Sequence, residues 1–240
     1  MKYPKQLVSG KDINLSKYNL GIIRQPRVDD FMDDYDLQDF IKSFYIEQSW
    51  RVNGVFDDKD LPFTFFMIAC GQNAEIGESL IKSLVLLYQT EDFVISPTGD
   101  NILIKKDKKP HAFIDNSNFD YLCEVVLEMC KYNKPKAEKK EVVENPDKEI
   151  MELFEKHKKK KEEKDKKEAT YFEEQVREVI HMRKCSYNDV KDWTVFQLLD
   201  AYITYNYIES NNLSLQSLIT HGGDAKKIKS WADETKIKRD

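Results

Sequence analysis

Between Lys131 and Thr170 apolar residues almost disappear from the chain and Lys and Glu take over, in the run KYNKPKAEKKEVVENPDKEIMELFEKHKKKKEEKDKKEAT. A stretch so poor in apolar side chains cannot build a core of its own. The aromatic-rich blocks on either side must therefore do the folding. The expected layout is a domain over 1–132, a charged linker or solvated helix over 133–170, and a small domain over 171–240. Pro135 and Pro146 favour an irregular first half for the linker, while its mixed Lys and Glu favour helix further on through i,i+4 pairs.

The N-terminal block reads as mainly helical with a small sheet inserted. Residues 1–27 are polar, punctuated by Pro4, Gly10, Gly21 and Pro26, with an extended apolar piece at Leu20, Ile22 and Ile23. From Val28 the pattern turns helical, with Phe31, Tyr35, Phe40, Ile41, Phe44 and Tyr45 as expected buried positions. The segment Leu61 to Cys70 fits helix or strand; Pro62 suits a first helical turn and Gly71 a stop, which favours helix. Ile76, Leu80, Ile81, Leu84, Leu87 and Tyr88 recur at three-to-four spacing and predict an amphipathic helix. Two strands follow, Phe93 to Ile95 and Asn101 to Ile104, around a turn at Ser96–Asp100. An extended His111 to Ile114 then leads into a helix from near Ser117, with Phe119, Leu122, Cys123, Val126, Leu127 and Cys130 inward.

The C-terminal block predicts a helical hairpin or small bundle. One helix carries Phe172, Val176, Val179 and Ile180 on a single side. The next starts at Trp193-Thr194-Val195-Phe196-Gln197-Leu198, where Thr194 and Gln197 can exchange hydrogen bonds as a capping box and Trp193 can staple onto Leu198. It is expected to run to Asn211 and Asn212, followed by a short helix Leu213 to Ile219 and a last one from about Ala225 to Lys236. The whole is a mainly α-helical α+β protein: a helical domain with a β-hairpin or three-stranded insertion, a charged linker, and a C-terminal helical bundle.

Chemistry has little to stand on in this sequence. The net charge of −5, from 43 acidic and 38 basic residues, leaves no uniformly basic surface for a nucleic-acid backbone. The lysines from Lys156 to Lys167 are interrupted by Glu162, Glu163 and Asp165 and carry no interleaved aromatics. Asp29 and Asp33 share a helical face but lack the ligand pattern of a calcium loop. His181 and Cys185 could meet at i,i+4, yet two ligands are too few for zinc. The four cysteines form no CxxC pair, and the glycines form no phosphate loop. No enzyme activity, cofactor or metal is expected. No run of about 20 apolar residues is present to cross a bilayer, and a reducing cytoplasm is the expected setting.

The chain resembles a family of tail-region proteins from phages of Gram-positive bacteria, some of them likened to tail assembly chaperones. The resemblance is carried by IIRQPRVDDF, the helical apolar middle, the lysine-rich interval, and WTVFQLLDAYITYNYIESN followed by GGDAKKIKSWADE. Thr194, Gln197, Leu198, Asp200 and Trp231 match its pattern. It implies an assembly factor of the host cytoplasm that binds tail subunits or the tape measure protein, with no catalytic residues to transfer. The expected partner-binding residues are Trp193, Phe196, Leu199, Tyr202, Tyr205 and Trp231. Two other readings stand beside it: a structural tail or baseplate component, and a host-directed regulator binding protein or nucleic acid through Lys156–Lys167. A homo-oligomer is compatible with each.

Overall fold

The computed structural model describes residues 3–33, 35–45, 63, 67, 70–71, 74–132 and 171–221. The fold is mainly helical with two small antiparallel sheets. Pro4 opens a short helix, α1 (Pro4–Ser9), and Gly10 closes it in the left-handed region at φ 66°, where a glycine carries no Cβ penalty. Hydrophobic periodicity does not predict this helix. Six residues with a single buried side chain, Leu7, are too short to show a period. A two-stranded ribbon follows, β1 (Ile13–Asn14) against β2 (Ile22–Ile23).

The helix expected from Val28 is broken in two. Val28–Phe31 is a 3-10 turn, and α2 begins only at Leu37 and runs to Lys42. The reason is local competition for backbone donors. Asp30 turns back to accept from the Arg27 amide at 2.6 Å and from the Arg24 guanidinium at 2.7 and 2.8 Å. Asp36 then accepts from the Gln38 amide and starts the second piece. The aromatic positions survive the break: Phe31, Phe40 and Phe44 are buried, with successive ring centroids 5.4 Å apart. Tyr35 and Tyr45 pack partly buried beside them. Of the Leu61–Cys70 segment, Phe63, Met67 and Cys70 are described and helical. Gly71, expected as a stop, is helical too.

The middle of the block follows its periodicity. Helix α3 (Ala74–Tyr88) buries Leu80, Leu84, Leu87 and Tyr88. Strands β3 (Phe93–Ile95), β4 (Asn101–Lys106) and β5 (Lys109–Asp115) form a sheet in the order β3-β4-β5. The β4–β5 turn holds Asp107 and Lys108 at φ 53° and 62°, the double positive φ of a tight hairpin matched to strand twist. Ile102, Ile104, Ala112 and Ile114 point into the core, while Val94, Ile95 and Phe113 face out. Helix α4 (Phe119–Met129) buries the inward face expected of it, including Cys123 and, just past its end, Cys130. Gly21, at φ 63°, lies so close to β5 that an added Cβ would stand 2.5 Å from the His111 carbonyl oxygen.

In the C-terminal block, α5 (Phe172–Arg183) is followed by the single turn α6 (Tyr187–Val190) and by α7 (Val195–His221). Helix α7 does not stop at Asn211 and Asn212. Asn is a mediocre helix residue but not a breaker, and neither Gly nor Pro follows until Gly222. Ser214 and Thr220 return their hydroxyls to the carbonyls of Ser210 and Gln216, at 2.8 and 2.9 Å. The expected helix from Ala225 to Lys236 and the linker over 133–170 lie outside the described residues.

The two blocks pack on one continuous buried cluster that runs from Leu7 to Leu198. Residues 26–29 and 191–195 lie antiparallel along the seam. The Val28 amide donates to the Trp193 carbonyl and the Val195 amide to that of Pro26, both at 2.9 Å, and the Asp29 amide reaches Lys191 at 3.1 Å. Phe172 meets Phe31 edge-on at 6.1 Å. These bonds give backbone groups at a buried joint the partners they need.

Candidate protein-binding groove

The start of α7 is fixed by side chains that do two jobs at once. The Thr194 amide donates to Gln197 Oε1 at 2.9 Å, and the Gln197 amide donates to Thr194 Oγ1 at 3.2 Å. This is the reciprocal box the sequence predicts. Gln197 Nε2 then donates to the Val8 carbonyl at 2.9 Å, so the cap also ties α7 to α1. At the other side, α5 ends on Lys184 in the left-handed region, φ 51°. Ser186 donates its amide and hydroxyl to Asp189, both at 2.7 Å, which turns the chain through α6 and holds the Asp189 carboxyl below its ordinary range.

The hairpin leaves an open groove of about 430 Å³ between α5 and α7. Its apolar walls are Val179 and Met182 from α5, Trp193 and Phe196 at the turn, and Tyr205 and Ile208 further along α7, with Val8 at one end. Polar groups stand among them: Arg183, Gln197, Asp200 and Thr204. The Arg183 guanidinium lies 4.8 Å over the Trp193 ring, which covers the indole while leaving a charge at the rim. Lys131 Nζ sits 4.8 Å over the Phe196 ring and bonds Asp200 Oδ1. The floor is therefore ordered, and its outer wall is aromatic and aliphatic.

Of the residues expected to bind a partner, Trp193, Phe196 and Tyr205 come together in this groove. Phe196 is buried and serves as floor. Leu199 and Tyr202 do not line the groove and pack partly buried against the core, because 3.6 residues per turn carries them to another side of the helix. Trp231 lies outside the described residues. The α5 wall was missed: Val179 reads as core from its spacing, and Met182 and Arg183 carry no signal until the hairpin places them opposite Trp193.

The other constellations are placed as follows. Cys130 and Cys123 are buried; burial pushes the Cys130 thiol far up and the Cys70 thiol to about 11, so neither is a thiolate nucleophile at neutral pH. His181 is exposed, while Cys185 Sγ donates to the Ile180 carbonyl at 3.9 Å. Asp29 accepts from the Tyr187 hydroxyl at 2.6 Å. Desolvation, then Asp29, with Asp33 and Asp192 nearby, pushes Tyr187 up to about 12. Among the described residues no group of three His, Cys, Asp or Glu side chains converges as metal ligands, and no helix is long and apolar enough to cross a membrane.

Comparison with curated proteins and with solved structures gives no match. Residues 158–236 match the family model described as the YomV second domain, a stretch that includes α5, α6 and α7 and so most of the groove. About the last third of the chain is thus similar to a domain of a phage-derived family, YomV of a Bacillus phage region, without pointing to a tail assembly chaperone.

Proposed function

We propose that this phage protein is an assembly factor that seats an apolar helix edge of a tail protein, the tape measure protein among the candidates, in the groove between α5 and α7. The observation that carries the reading is an ordered, open apolar channel beside an exposed helix. Trp193 and Tyr205 offer rigid aromatic surface, Met182 and Ile208 offer adaptable aliphatic surface, and Arg183 and Asp200 mark the rim. Such a combination suits the ridge of side chains at i, i+3 and i+4 on an amphipathic partner helix. A thioether among the contacts lets the channel accept ridges of differing shape. The resemblance of the whole chain to tail-region proteins supplies the client class, and the match to a phage-derived domain agrees with that origin.

Co-expression of the full chain with the tape measure product and the tail subunits tests this. Co-purification at low and high salt is expected, with Met182→Glu reducing the captured client at least tenfold. Failure to capture any of them in both salt conditions overturns the proposal.

A further inference from the structure

We infer that the polypeptide seated in the groove carries a carboxylate at one end of its apolar ridge, and that this carboxylate pairs with Arg183 at the turn between α5 and α7. This rests on the reading of the groove as a seat for an apolar helix edge. It adds the charge that the occupant must bring and the end at which that charge must stand.

The lining of the groove holds two ionised side chains, Arg183 and Asp200. Asp200 is already answered, because it accepts from Lys131 Nζ, whose ammonium also lies 4.8 Å over the Phe196 ring. Arg183 is not. Its guanidinium lies 4.8 Å over the Trp193 ring, and among the described residues its side chain makes no ion pair and no hydrogen bond. The two carboxylates in the turn that follows it are engaged elsewhere: Asp189 accepts from the Ser186 amide and hydroxyl, and Asp192 pairs with Arg27 at 3.3 Å. A cation–π contact attracts the charge but gives the N–H donors no acceptor.

Such a side chain sets a condition on whatever covers the channel. An apolar group laid against Arg183 would strip water from its N–H donors and return nothing, and a basic group would add a like charge. A carboxylate meets the guanidinium through paired N–H bonds, the geometry to which its planar fork is matched. Contact with Trp193 already restrains the charged head, so less side-chain freedom is lost when the occupant arrives. Salt screens such a pair less once the apolar contact beside it has closed.

The position of the charge follows from the hairpin. Arg183 ends α5 and lies over Trp193 at the turn, whereas Ile208 comes twelve residues after Phe196, about 18 Å along α7. Past Asp200 the lining is Ala201, Thr204, Tyr205 and Ile208, with no charge among them. The occupant's acidic residue therefore belongs at one end of its ridge, and the remainder of the ridge is apolar.

The test uses the full chain and labelled amphipathic peptides of about 18 residues, long enough to span the groove. They share one apolar ridge and differ at a single ridge-end residue, Glu, Gln or Lys, placed in the first turn in one series and in the last turn in the other, so that both directions of seating are sampled. Fluorescence anisotropy should show, in the better-seated series, the Glu peptide binding about tenfold tighter than the Gln peptide, with Lys weaker still. Arg183→Gln should remove the difference and Arg183→Glu should reverse the order, with the helical circular dichroism signal retained because the residue is exposed. Reversal is a result that lost packing cannot produce. Equal binding of the Glu and Lys peptides by the wild type overturns the inference, as does a Glu preference that survives Arg183→Gln, or no binding by any peptide. A tail protein captured equally by the wild type and by Arg183→Glu sinks the inference and leaves the proposed function standing. Discrimination among the peptides with no tail protein captured does the reverse.

Discussion

The two halves of α7 are one continuous helix built for different tasks. From Val195 to Leu198 it is a core element: Val195, Phe196 and Leu198 are at most 1% exposed, and its first turn is tied to Pro26, to Val8 and to its own cap. Further along, the side chains of Leu213, Leu215 and Ile219 stand out from the body, at 60%, 41% and 82% exposed. Apolar content does not separate the halves; what they touch does. Apolar side chains left this exposed, on a helix whose start is over-determined, are what the proposed function would use as contact surface for another polypeptide.

The contrast breaks first if the buried half tolerates truncation. Phe196→Ala removes a fully enclosed ring from beneath Lys131 and from the groove floor, and a loss of about 3 to 5 kcal/mol in chemical unfolding is expected. A loss below about 1 kcal/mol would mean that the start of α7 is no core element. Next comes the cap. Thr194→Ala deletes the oxygen that accepts from the Gln197 amide at a position 3% exposed, and about 1 kcal/mol should go with it.

The seam between the blocks can be sharpened by pH. Tyr187 loses its proton at about 12 in the folded protein because burial and Asp29 oppose a phenolate there, against about 10 in an unfolded chain. The unfolded state gives up the proton first, so the stabilisation is whole below pH 10 and is lost as the pH rises from 10 through 12. Alkaline unfolding of Tyr187→Phe should therefore be shallower than that of the wild type over that window. Equal slopes would show that the Tyr187–Asp29 contact does not hold the seam.

How far the sequence could be read depended on whether local signals and tertiary packing agreed. Helices α3 and α4 have apolar residues at three-to-four spacing and few local competitors, so period and structure coincide. The Thr194 box was legible because both of its bonds lie within four residues. The stretch from Val28 to Lys42 was misread because Asp30 and Asp36 offer backbone amides nearer partners than a helix would, and only the Arg24 contact makes that choice visible. The length of α7 was misread because Asn211 and Asn212 look like a stop when nothing else is known of their surroundings. Half of the groove was out of reach for a similar reason: Met182 and Arg183 become a wall only after α6 has reversed the chain.

The smallest effect on stability is the most telling. Ile219 is 82% exposed, so Ile219→Gln removes almost no internal contact and should move the unfolding free energy by no more than about 0.5 kcal/mol. Gln keeps a good helix propensity and the side chain stays long, so α7 itself is not weakened. If the exposed half exists to be covered by the client of the proposed function, the same substitution should still weaken capture of that client severalfold, because a polar amide would replace apolar surface that the client covers. Co-purification of the tail protein with the variant beside the wild type, paired with a thermal scan of each, measures both quantities. Loss of association with unchanged stability would separate the two halves of α7 by function, whereas a matching drop in stability would show that Ile219 packs within its own chain and that the comparison was drawn in the wrong place.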